Sequence, residues 1–93
     1  MSKDAVIRRG QAADRLLKDE AARKAFDTVV EDLQAEWLRT RPDDTATREG
    51  CYRMVHAVQL VVAKLEAWRA SGVMEEHAAE QQARDARGEA SFH

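Results

Sequence analysis

Cys51 and His56 are the first residues whose types could do chemistry, as a thiol with a general base or as half of a zinc site. Their spacing argues against both. Five positions apart on a helix, they point to different sides, and no second Cys or nearby His completes a four-ligand shell. Cys51 instead falls on an apolar seam, where a free thiol behaves as a small hydrophobe. His77 with Glu76 and Glu80 is the other ligand-like group, since two carboxylates one turn apart beside an imidazole can hold a cation. Such groups also arise on any solvated, charge-rich helix. No Gly-rich phosphate loop, Ser-His-Asp arrangement or paired catalytic carboxylates occurs along the chain. The expectation is therefore a protein without an enzymatic role, without a resident metal and without a cofactor.

The elements that must carry these residues are helices. The 93 residues are 44% hydrophobic and 34% charged but only 5% aromatic, with four glycines and one proline. That composition fits an all-α protein and argues against a β-sandwich. A chain of this length buries a thin core, so association would supply missing burial. One cysteine excludes an intrachain disulfide. No apolar run reaches the roughly 20 residues of a membrane span. The first residues lack the apolar core of a secretory signal, and Asp4 and Asp14 speak against a transit peptide.

Along the chain, a loose helix is expected over Asp4–Leu17, interrupted in pattern by Gly10. Asp19 is a competent N-cap for a second helix over Glu20–Thr40, whose Phe26, Val30, Leu33 and Trp37 form one stripe. Pro42 ends it by forcing Arg41 out of helical geometry. Asp43 or Asp44 can cap the next helix at once, with Thr45 as a rival. A stop followed so closely by a start predicts antiparallel neighbours joined by a turn. The third helix, Thr45–Ser71, repeats Cys51, Met54, Val58, Val61, Leu65 and Trp68 in steps of three and four, with Val55 and Val62 as a second row. Gly72 is the expected C′ residue. The fold expected is an antiparallel helical hairpin of two long helices with a shorter N-terminal helix, spanning residues 1–72. A polar helical C-terminal tail follows over 73–93.

The apolar surface of the third helix is too broad for one partner helix. Met54, Val55, Val62 and Trp68 are the expected protein contacts, with Arg8 and Arg9 at a polar rim. Arg8, Arg9 and Arg15, with Lys3, also form a basic patch that could meet phosphate. The net charge of −2, from 15 basic and 17 acidic residues, does not favour nucleic acid as the main partner.

Several of these features together resemble small helical accessory and assembly proteins of tailed bacteriophages and prophages. The likeness covers roughly residues 12–72. It consists of Leu16, Leu17 and Asp19, the Ala25-Phe26 pair, Trp37 closing a helix, the Pro42-Asp43 turn, and Arg48-Glu49 opening the next helix. The resemblance implies a structural or assembly protein that forms a homo-oligomer or binds a larger head, portal or connector component. Its expected place is the host cytoplasm during assembly, or the virion. A DNA-packaging or regulatory subunit using the N-terminal basic patch is the alternative, and a regulator acting through the acidic C-terminal helix is a third. The motifs punctuate helices, so no catalytic residue carries over.

Overall fold

The structure, a computed structural model, describes residues 1–88. It contains α1 (Lys3–Lys18), α2 (Glu20–Arg39) and α3 (Thr45–Ala86), with no strand among the described residues. The protein is all-α and rod-shaped, 69 × 25 × 24 Å. Its radius of gyration is 20.5 Å, against about 12 Å for a compact chain of this length.

Each helix begins at a side-chain cap. The Ser2 hydroxyl accepts from the Ala5 amide at 3.1 Å, the Asp19 carboxylate from Ala22 at 2.8 Å, and the Asp44 carboxylate from Thr47 at 3.2 Å. Each oxygen satisfies an amide that the helix leaves free. Asp19 serves twice: its extended backbone ends α1 while its side chain starts α2. Only that one residue separates the two helices. Thr40 ends α2, its hydroxyl donating to the Trp37 carbonyl, and Pro42 stands in the turn before α3. These starts and stops lie where the sequence places them.

The end of α3 does not. The helix passes through Gly72 and continues to Ala86, where Gly88 takes a positive φ of 77° that glycine adopts without a Cβ clash. The expected stop at Gly72 is thus corrected by fourteen further helical residues. Described up to Gly88, the expected tail begins as this continuation of α3, and its last residues, 89–93, lie outside the described residues. The physical reason lies across the molecule. Gly72 meets Gly10 of α1, and a Cβ built on Gly10 would come within 2.8 Å of both the Gly72 Cα and the Trp68 carbonyl oxygen. Two backbones touch where neither residue has a side chain. A helix-interior glycine costs about 1 kcal/mol relative to alanine; the close seating of α1 on α3 offsets it.

α1 packs mainly on α3 and less on α2. Beyond the glycine contact, Gln11 donates to the Glu76 carboxylate at 3.2 Å, and Arg69 approaches Asp14 at 3.9 Å. α2 lies along the first part of α3: Leu33 and Cys51 share one groove wall, and Phe26 and Val62 another. The core is small. Ala13, Leu33, Cys51 and Leu65 are the only buried hydrophobic side chains among the described residues, joined by Gly10 and Gly72.

Candidate protein-docking surface

A helix in contact with one neighbour has one buried line and two flanks. On α3 the buried line runs through Cys51 and Leu65, with Val55, Val58 and Val62 half-buried beside it. The sequence groups Cys51, Met54, Val58, Val61, Leu65 and Trp68 as one seam, and the structure divides it. Cys51 and Leu65 are covered, while Met54 is 58% and Val61 50% exposed. The seam is thus wider than the partner that covers it.

The two flanks differ. One carries open grooves between α2 and α3. A groove of about 450 Å³ is lined by Leu33, Trp37, Leu38, Cys51, Tyr52 and Val55, and its rim residues Leu38 and Tyr52 are 75% and 71% exposed. A second, of about 420 Å³, is lined by Phe26, Val30, Val58 and Val62 with Asp27, Glu31 and Glu66 around it. The other flank is a continuous stripe of Met54, Val61 and Trp68, seven residues apart, with exposed Val29 on the same side of α2.

The expected contact residues therefore do not form one patch. Val55 and Val62 line the grooved flank, whereas Met54 and Trp68 belong to the stripe. Arg9 joins that stripe: its guanidinium lies 4.8 Å from the centroid of the Trp68 ring, and its Nε is buried with no hydrogen-bond partner among the described residues. Arg8, one residue away, is exposed. The Trp68 indole is consequently half-buried under α1, which holds a cation over its π face.

Trp37 has the matching arrangement at the turn end, with the Arg48 guanidinium 4.0 Å from its ring centroid. Sequence reasoning placed both indoles on apolar stripes but missed their cationic partners. Arg48, eleven residues beyond Trp37 and across the turn, becomes a neighbour only once α2 and α3 are folded together. Leu38 and Tyr52 carry no signal in the spacing either, yet both are exposed, as is Leu60, which the spacing sets apart from both rows of α3. Leu60 stands off every stripe; Leu38 and Tyr52 gain meaning from the groove between them.

The chemistry-bearing candidates are dispersed. The Cys51 thiol is buried and free, whereas His56 is exposed and its ring lies parallel to Tyr52, with centroids 6.4 Å apart. No group of three or more His, Cys, Asp or Glu side chains able to hold a metal forms among the described residues, and the His77 neighbourhood is no exception. No described helix is long and apolar enough to cross a membrane.

Such geometry defines an all-α rod with unpartnered apolar flanks. Family models, curated proteins and solved structures offer no match to the chain.

Proposed function

We propose that this chain is a non-enzymatic docking protein that works by pressing the apolar flanks of α2 and α3 onto another protein. The observation that carries this reading is the mismatch between the four hydrophobic side chains buried among the described residues and the large apolar ones left exposed on both flanks, Val29, Met54 and Val61 on one and Leu38 and Tyr52 on the other. Large apolar side chains that recur along a rod lower their free energy by about 25 cal/mol for each Å² removed from water. A partner surface is the means of removing it. In this reading α1 and α2 form one arm of an antiparallel hairpin, bent at Asp19, and α3 forms the other. The arm–arm contact holds the rod straight; the flanks do the docking.

The setting proposed is assembly of a phage particle, with a head, portal or connector protein as the larger partner. It rests on the resemblance carried by residues 12–72, from the Leu16-Leu17-Asp19 step to Arg48-Glu49. A photo-crosslinking amino acid at position 52, on the rim of the α2–α3 groove, expressed in the full chain beside the particle genes, tests it. Crosslinks to a particle protein, absent when the probe is moved to exposed position 80, are the expected outcome. Crosslinks confined to DNA, or none above the position-80 control, would overturn the reading. The nucleic-acid alternative is weaker because Arg9, central to the basic patch, is spent on the Trp68 ring.

A further inference from the structure

Resting on the docking reading, we infer that a second copy of this chain covers the flank formed by Val29, Met54 and Val61, in an antiparallel two-fold pair. The first argument is area. The chain exposes 7267 Å², whereas a compact monomer of its mass exposes about 5,400 Å². The surplus, roughly 1,800 Å² by the same scaling, is spread over the whole rod, and covering half of it would supply the approximately 800 Å² that each partner contributes to a stable interface. A two-fold pair needs no second surface, because the same flank serves both copies.

Charge gives the direction. α1 carries five cations and two carboxylates, while α2 carries five carboxylates and three cations. α1 lies against the stretch of α3 around Trp68 to Glu76, and α2 lies against the stretch from Arg48 to Val62. The stripe thus ends under basic α1, where Arg9 lies over Trp68 and Arg8 beside it is exposed, with Asp32 and Glu36 near the other end, neither acid making an ion pair among the described residues. A pair with its rods parallel would bring the two basic α1 helices to the same level, where they repel. Antiparallel rods set α1 of each copy beside α2 of its partner, cation over carboxylate. Met54 and Val61 then meet their counterparts near the two-fold axis.

Sedimentation velocity of the full chain at low ionic strength, over a hundredfold range of concentration, tests this inference, with circular dichroism monitoring the fold. The wild type is expected to reach a dimer and stop. Val61→Glu, at a position half-open to water in the single copy, is expected to keep its helicity and weaken the dimer at least about a hundredfold. Arg8→Glu alone, and Asp32→Arg with Glu36→Arg alone, are each expected to weaken it about tenfold. Mixing these two charge variants restores pairing, since each basic surface then finds an acidic one. A wild-type chain that stays monomeric, a dimer indifferent to Val61→Glu, or charge variants that do not rescue each other would overturn the two-fold pair. If position 52 crosslinks a particle protein while the chain remains monomeric, this pairing fails and the docking function stands.

Discussion

Replacing Gly72 by alanine probes the contact that sets α1 on α3, and the structure fixes both sign and scale. The new methyl carbon would lie 2.9 Å from the Gly10 Cα, with the Val6 and Ile7 carbonyl oxygens at 3.4 and 3.5 Å. All three are backbone atoms, so no side chain can swing aside. Relief requires α1 to withdraw by something close to an ångström, loosening Ala13, Leu17 and Arg9 together. Overpacking of this kind costs about 1–3 kcal/mol, whereas alanine improves the helix by about 1 kcal/mol. The net expectation is destabilisation of up to about 2 kcal/mol. Gly50, also inside α3, has nothing within 4 Å of a built Cβ, so Gly50→Ala should stabilise by roughly 0.5–1 kcal/mol. Urea unfolding followed at 222 nm, at one protein concentration, gives both values. A Gly72→Ala protein stabilised as much as Gly50→Ala would refute the helix crossing.

Three other substitutions test separate parts of the account. Asp19→Ala removes the hydrogen bond to the Ala22 amide and should cost about 1 kcal/mol in thermal or urea unfolding. Leu65→Ala, at one of four buried hydrophobic side chains among the described residues, should cost about 2–5 kcal/mol by the same assay and unfold much of the population. Arg48→Ala uncovers the indole of Trp37, with a red-shifted Trp37 emission in a Trp68→Phe background and a stability loss of about 0.5–1 kcal/mol.

The parts of this fold legible in the sequence are those decided locally. Asp19 and Asp44 reveal helix starts because a carboxylate reaches amides only three residues away, and Pro42 reveals a stop because its ring constrains the residue before it. The stripe through Leu33 on α2 also follows from spacing alone. What the sequence hides depends on partners distant along the chain. Gly10 reads as a weakness and Gly72 as a terminus until the two meet, and each then becomes the residue that permits close approach. Likewise, periodicity places Met54 and Val61 on the seam with Cys51 and Leu65. Burial separates them because α2 and α1 cover a narrower strip than the seam offers. Exposed Leu38 and Tyr52 carry no periodic signal, being neighbours only across the α2–α3 groove.

Oxidative footprinting of the methionines measures the central claim most directly, namely that α3 keeps an apolar flank open until another protein covers it. Met54 and Met74 are both largely exposed, on different sides of α3. In the dilute chain both should oxidise readily. On association, Met54 should become protected while Met74 continues to react. Protection of Met54 already in the dilute single copy, or equal reaction of Met54 before and after association, would contradict the account.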